Sequence, residues 1–416
     1  SKTDINPNAL QVINQLKHHG YQAYLVGGSV RDLLLRKAPK DFDVATNATP
    51  QQIRRLFRNA RIIGRRFKLV HITFYREIIE VSTFRSNEPD EQMLTNDSGM
   101  VIRDNVYGTL EQDSWRRDFT INSLYYNISD GSIVDYTGGF KDIQGKMIHV
   151  IGDPSIRYQE DPVRMLRAIR FAAKLHFNIA ENSSKPIMDL GHLIQQVSNA
   201  RLFDEVTKLW QCQEAKKVHE LLTHYDIFKY LFPYTYDAMQ QDEHIQKFIE
   251  NALENTDARM KEQKPTTPAF LFAVLLWYPM KNLAIQLQEE QGIHPLEALE
   301  HAMGRILNQQ CKIISIPRRF TQIIREIWLL QFRFNKRVGL KPMQLMSHAR
   351  FRAAYDFLLL RAIVGDESVE LAEWWTKFQD CDDQAREEMV STINTSTKPK
   401  RRRRKKAKKP NPESPS

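Results

Sequence analysis

Two carboxylates one residue apart, Asp41 and Asp43 in Asp41-Phe42-Asp43, are the side chains here best suited to chemistry. Alternate residues of a strand point to one face, so the pair can grip a cation together. Mg²⁺ takes hard oxygen ligands, usually one or two carboxylates with substrate phosphates completing its shell. A lone DxD is also common in solvated acidic turns, and its context is what sharpens it. Gly27-Gly28-Ser29 stands fourteen residues before Asp41, between the apolar run Ala23 to Val26 and helical spacing from Val30. Glycines at such a turn let the backbone approach a phosphate, and the helix start offers free N–H groups. Arg31, early in that helix, adds a cation suited to a triphosphate. The order strand, Gly-Gly turn, helix, DxD, strand places phosphate donors beside metal ligands.

The elements that must hold these groups read as mixed α/β over about the first 145 residues. Helices are expected at Asn8 to His19, at Val30 to Leu35, and from Thr49-Pro50, where proline fits the first turn. Strands are expected at Ala23 to Val26, Phe42 to Ala45, Val70 to Phe74, Ile78 to Phe84, Ile133 to Tyr136 and Met147 to Val150. The last two flank a Gly138-Gly139 turn. Phe119 to Tyr126 reads as a helix start or a strand. The polar stretch 88–100 reads as a mobile loop. From Asp161 the periodicity changes to 3.6 and stays mainly helical to about Thr392.

Two further groups stand out. Glu80 interrupts the apolar run Ile78 to Phe84 and reads as a third active-site carboxylate, with an ion pair to Arg85 as the alternative. Asp161, Arg164, Arg167 and Arg170 recur every third residue. On a helix such a row drifts slowly around one side.

Four segments resemble the tRNA nucleotidyltransferase/poly(A) polymerase family, which is related to DNA polymerase β-like nucleotidyltransferases. They are Leu25 to Leu34, Lys40 to Thr46, Arg116 to Leu124 and Glu160 to Phe171. The resemblance implies a DNA polymerase β-like α/β head, a mainly helical remainder and a disordered basic tail. The expected boundaries are residues 1–148 for the catalytic head, 149–215 for a helical neck carrying a base-reading helix, 216–395 for a helical RNA-binding body, and 396–416 for the tail. It also implies template-independent transfer of AMP from ATP to RNA 3′ ends, releasing pyrophosphate by a two-metal displacement. Asp41 and Asp43 would hold two Mg²⁺ ions, for which Mn²⁺ could stand in. Gly27, Gly28 and Arg31 would face the phosphates. Arg117 and Asp118 would contact phosphate and ribose, or Asp118 would assist the catalytic carboxylates. Asn122 belongs to the same pocket. Asp161 and Arg164 would read the base edge, Asp accepting from an amino group and Arg donating. Arg167 and Arg170 would hold phosphates or the RNA end.

Two activities of the family compete: polyadenylation and CCA addition to tRNA. The basic stretch Arg61 to Ile72 resembles the polyadenylating version, and a Phe-Gly-Thr sequence frequent in CCA-adding relatives is missing from it. No His-Asp dipeptide occurs, which argues against the CCA enzymes that append a metal phosphohydrolase domain. A third reading, an inactive RNA-binding protein on the same fold, is disfavoured by the intact Gly27, Gly28, Asp41 and Asp43. The patches Pro317 to Phe320 and Arg350-Phe351-Arg352 could touch RNA.

The formal net charge is +10, of which +9 falls in residues 396–416. Without apolar residues to form a core, that tail should be disordered and attract polyanions. Its charge alone leaves open whether it also meets RNA-degradation machinery or an acidic membrane. Hydrophobic residues make up 42% of the chain, enough for sizeable cores, yet no apolar run comes near the roughly 20 residues of a membrane span. Ser1 to Gln15 lacks the pattern of a signal peptide. Cys212, Cys311 and Cys381 are too far apart for a zinc motif. A cytoplasmic protein is the expectation.

Overall fold

The computed structural model describes residues 2–64, 68–86, 94–95, 101–103 and 106–396. The Arg65-Arg66 segment, most of the 88–100 stretch and all but the first residue of the basic tail lie outside them. The chain divides into two compact units, Ser1–Thr321 and Gln322–Ser416.

The first unit opens with the α/β head. Its strands are β1 (Ala23–Val26), β2 (Asp43–Thr46), β3 (Ala60–Ile63), β4 (Leu69–Phe74), β5 (Glu77–Thr83), β6 (Leu94–Thr95), β7 (Val101–Arg103), β8 (Leu124–Tyr126) and β9 (Ile133–Asp135). Seven of them form one mixed sheet in the order β3-β4-β5-β2-β1-β8-β9, while β6 and β7 pair separately. Within the large sheet β2 and β5 run parallel, and the other neighbours run antiparallel. Val26, Ala45, Phe84, Leu110 and Tyr125 pack as a buried cluster of the head. The short strands β10 (Met147–Ile148) and β11 (Asn178–Ile179) form a parallel pair that joins the head to the helical part of the unit.

The expected helices appear as Pro7–His18, Gly28–Leu34 and Pro50–Leu56. The last is closed by a Thr49/Gln52 capping box with proline in its first turn. The Gly138-Gly139 turn is more than a turn, because it starts a helix, Gly139–Gly145. A Cβ on Gly139 would stand 2.1 Å from the Thr120 carbonyl oxygen, so only glycine lets this helix pack against residues 120–122. Pattern reading missed the helix because its apolar face is one residue wide, Ile143.

The Asp161 row is also corrected. Asp161 lies on no long helix; it caps Pro154–Glu160 with extended backbone (φ −151°, ψ 90°), and the next helix is Val163–Leu175. Pro162 is the cause, since a residue before proline is driven out of the helical region.

The rest of this unit is helical, as expected. Pro268–Gln291 is long and apolar enough to cross a membrane by length and composition alone, but 67% of its most apolar 18 residues is buried, as in the core helix of a globular fold. It packs on Pro295–Cys311, Pro233–Gln241 and Glu243–Lys261. Pro279 inside it removes one helical N–H, and the Thr235 hydroxyl donates instead to the Leu275 carbonyl at 2.7 Å.

The second unit has its own aromatic core, built on Phe334, Phe351, Tyr355, Trp375 and Phe378. Trp375 donates its indole N–H to the Phe334 carbonyl. Phe351, a candidate RNA contact, is 6% exposed and belongs to that core, while Arg350 and Arg352 pair with Glu326 and Asp356.

Candidate active site

Asp43 opens β2, and its register partner on the parallel strand β5 is Glu80. Directly opposed residues carry their side chains on one face, so the two carboxylates stand side by side. Glu80 also faces His71 across the β4–β5 pair, with Nε2 3.4 Å from Oε2. Arg85, the alternative partner, instead donates to the Lys68 carbonyl. Phe42 is buried between Asp41 and Asp43, and both carboxylates line one cavity.

Burial first, and Glu80 second, push the Asp43 carboxyl up to about 6; Arg117 works against them and Asp41 with them. Crowded carboxylates of this kind are a donor set that a hard divalent cation relieves. Among the described residues no three His, Cys, Asp or Glu side chains close around one point. Two aspartates with substrate oxygens completing the shell suit Mg²⁺.

The Gly27 turn borders this centre. Gly27 has φ +74°, a conformation L side chains rarely adopt, and a Cβ there would meet the Asn122 carbonyl and the Arg117 guanidinium. Its own N–H donates to the Leu124 carbonyl, which ties the turn to β8. The first N–H groups of the Gly28–Leu34 helix have no partner within the helix.

Behind the turn runs a buried chain of hydrogen bonds. Arg31, 3% exposed, donates to Asp32 Oδ1 at 2.7 and 2.8 Å and to Asn122 Oδ1 at 2.6 Å. Asn122 Nδ2 then points at Asp118 Oδ1, 3.3 Å away. Asp118 Oδ2 takes the Arg167 fork, with Nε at 2.6 Å and the second nitrogen at 2.5 Å. Burial pushes the Asp118 carboxyl up, but Arg167, Asn122 and the Phe119 N–H together bring it below the usual range. Arg31 is thus clamped within the wall, and it orients Asn122.

Arg117 is held from the other side. Its Nε and one terminal nitrogen donate to Asp113 Oδ2 at 3.2 and 3.0 Å, and Nε also reaches the Tyr125 hydroxyl at 2.8 Å. Tyr125 donates to the same carboxylate at 2.7 Å. Burial opposes its charge, yet Tyr125 and Asp113 keep Arg117 above the ordinary arginine value. The remaining nitrogen is the one facing Gly27.

Asp161 accepts both terminal nitrogens of Arg201, each at 2.7 Å. Arg164 donates to Glu160 and to the Arg157 carbonyl. Arg157 itself is lowered to about 10 by burial and by Arg164, against Glu160. It also donates to the backbone carbonyls of Arg116 and Arg117, which couples the base-reading corner to the Arg117 segment.

These groups line two cavities. The larger, about 1140 Å³, takes in Gly27, Gly28, Arg31, Asp41, Asn122 and Arg170. The smaller, about 340 Å³, takes in Glu80, Asp161 and Arg164. Asp43, Arg117, Asp118 and Arg167 border both, so every candidate read from the sequence borders one continuous region.

Sequence reading missed Asp113, Tyr125, Arg157, Arg201 and Phe171. Phe171 is a shared platform, with the guanidinium carbons of Arg31, Arg167 and Arg170 4.6–5.3 Å from its ring centre. Arg157 stands one turn before the Glu160-Asp161 pair and Phe171 ends the Glu160 to Phe171 segment itself, while the other three carry no motif signal. Tyr125→Phe removes the hydroxyl shared by Arg117 and Asp113. The expected outcome is about 1 kcal/mol of lost stability in denaturant melts and a higher KM for the nucleotide with kcat nearly kept.

Compared with known proteins, the chain matches three family models: the poly A polymerase head domain over residues 23–149, a probable RNA and SrmB-binding site of polymerase A over 176–239, and the polymerase A arginine-rich C-terminus over 291–409. Poly(A) polymerase I of Salmonella typhi is 45% identical over 410 residues, covering 96% of this chain and 88% of the relative. A CCA-adding enzyme of Bacillus licheniformis is 34% identical over 228 residues, or 55% of this chain and 56% of its own. The crystal structure of Bacillus stearothermophilus CCA-adding enzyme in complex with CTP is similar at a TM-score of 0.62 and 25% identity, over 90% of this chain and 83% of that one. The likeness to CCA-adding enzymes covers the shared fold, whereas sequence identity to the polyadenylating relative runs nearly end to end, and the chain belongs to the poly(A) polymerase family.

Proposed function

We propose that this protein adds AMP from ATP to RNA 3′ ends without a template, releasing pyrophosphate. The observation that carries the reading is the pairing of Asp43 with Glu80 across β2 and β5, beside the Gly27 turn and the free nitrogen of Arg117. Residues 1–148 act as the catalytic head, 149–215 as the neck, 216–395 as the RNA-binding body and 396–416 as a basic tail.

Asp41 and Asp43 would hold divalent metal, two Mg²⁺ ions on this reading. Bound there, such ions supply Lewis-acid polarisation of the phosphoryl oxygens and a more acidic 3′-hydroxyl. The protein's own groups do the rest by positioning. Gly28 and Ser29 turn their N–H groups toward the phosphates, and Arg117 adds a fixed cation from the side of Asp113. Asp118 and Asn122 hold the ribose edge in place. Asp161 and Arg164 read the base. Each already makes hydrogen bonds of the kind a base edge would take, so an adenine must compete with Arg201 and Glu160 for them. A cytoplasmic location suits this substrate.

The test is incubation with Mg²⁺, ATP alone and a short unstructured RNA, with the product then sized. A ladder of added A residues is expected. No extension there, with completion of a trimmed tRNA by CTP and ATP, would move the protein to CCA addition.

A further inference from the structure

Residues 115–122 face two ways. Arg116, Arg117, Asp118 and Asn122 line the catalytic cavities. Trp115 and Thr120 line a separate open pocket of about 320 Å³, walled by Thr137, Lys141, Asp142 and His149. AMP transfer at Asp41 and Asp43 makes no use of this pocket.

Its chemistry is specific. Trp115 is 48% exposed, whereas Trp210, Trp277, Trp328 and Trp375 are each under 2% exposed. An indole left in water beside a pocket offers a π-face to a planar ligand. Asp142 is occupied: Thr120 donates to one oxygen at 2.5 Å and His149 Nδ1 lies 3.0 Å from the other. Both of its oxygens thus face neighbours within the wall, and Lys141 is exposed, where it can meet an anion. Thr137 Oγ1 is buried at the pocket wall with no hydrogen-bond partner. A flat base, an adjoining phosphate and one polar edge are what this set would recognise.

We infer that the Trp115 pocket is a stacking subsite for a nucleobase of single-stranded RNA upstream of its 3′ end, with Lys141 taking the neighbouring phosphate. Continuity argues for that occupant. An RNA whose 3′-hydroxyl lies at Asp43 and Glu80 must leave the catalytic cavities, and Arg116 borders the smaller one immediately beside Trp115. Neighbouring side chains of the Leu110–Arg116 helix leave its axis about 100° apart, so a strand leaving past Arg116 would turn round that helix to stack on Trp115. The inference rests on the polyadenylation reading for its choice of RNA.

The experiment compares the full chain with Trp115→Ala and Trp115→Phe, using a long unstructured oligoadenylate and a dinucleotide primer too short to leave the cavities. Base–aromatic stacking predicts that Trp115→Ala weakens binding of the long RNA at least about fivefold, while Trp115→Phe stays near wild type. AMP incorporation on the dinucleotide should be equal in all three. The long RNA should also quench tryptophan fluorescence in the wild type and not in Trp115→Phe. Unchanged affinity in Trp115→Ala, or an equal loss in Trp115→Phe, would overturn the site. Absence of AMP incorporation by the wild type would retire the polyadenylation reading, and the affinity difference would still uphold stacking on Trp115.

Discussion

Asp43→Asn should abolish AMP incorporation, by about 10³-fold or more in kcat, while making the metal-free protein more stable at neutral pH. The two effects share one cause. Asp43 sits against Glu80 and Asp41 with its carboxyl pushed up to about 6. The folded protein therefore holds this proton more tightly than the unfolded chain, whose carboxyl titrates near 3.8. Between those values stability falls as pH rises, and above about 6 the full penalty of the charge is present. Asparagine removes the charge, and roughly 2 kcal/mol should return at pH 7, allowing for solvent screening. Thermal melts without metal should show the variant ahead at neutral pH and level with the wild type near pH 4. Added Mg²⁺ should raise the melting temperature of the wild type and leave the variant almost unmoved. A variant that melts like the wild type at both pH values would remove the electrostatic argument, and near-normal turnover would remove the metal assignment. Bound Mg²⁺ favours the carboxylate, so the loss of wild-type activity with falling pH should set in below about 6 and move to lower pH as Mg²⁺ is raised.

Asp118→Ala is the second large effect, and its stability term has the opposite sign. Asp118 is the acceptor that keeps Arg167 paired and Asn122 oriented. Its loss leaves a half-buried guanidinium without its carboxylate, at a cost of about 3 kcal/mol. The folded carboxyl titrates below the ordinary value, so this stabilisation is complete above the unfolded pKa and is lost as pH falls through the lower folded one. The wild-type advantage over Asp118→Ala should therefore be full at pH 7 and shrink only at strongly acid pH, read from urea midpoints. Activity should fall at least about 10²-fold, because the 117–122 segment positions groups on both cavities. Asp118→Asn separates the roles: it keeps a hydrogen-bond acceptor for Arg167 and recovers part of the stability. Recovery of full activity in Asp118→Asn would show that the charge is not used.

The sequence by itself determined which chemistry is present. Asp41, Asp43, Gly27, Gly28 and the Arg-Arg-Asp segment form short local motifs, and their order along the chain was enough to indicate the fold and family. Apolar alternation likewise placed most head strands, because β periodicity is a local property that one buried face imposes on each strand. The tertiary structure decided what those motifs touch. Glu80 is an active-site neighbour because β5 pairs parallel with β2 in the register that opposes it to Asp43, and register is set by long-range pairing. Asp161 leaves the helix because Pro162 breaks it, a local signal outvoted here by a regular spacing of charges. Asp113, Tyr125 and Arg201 are invisible to motif reading because each acts by holding a residue 4 to 40 positions away. Their role comes from burial, which makes a hydrogen bond to a charged group both costly to leave unmade and able to fix its geometry.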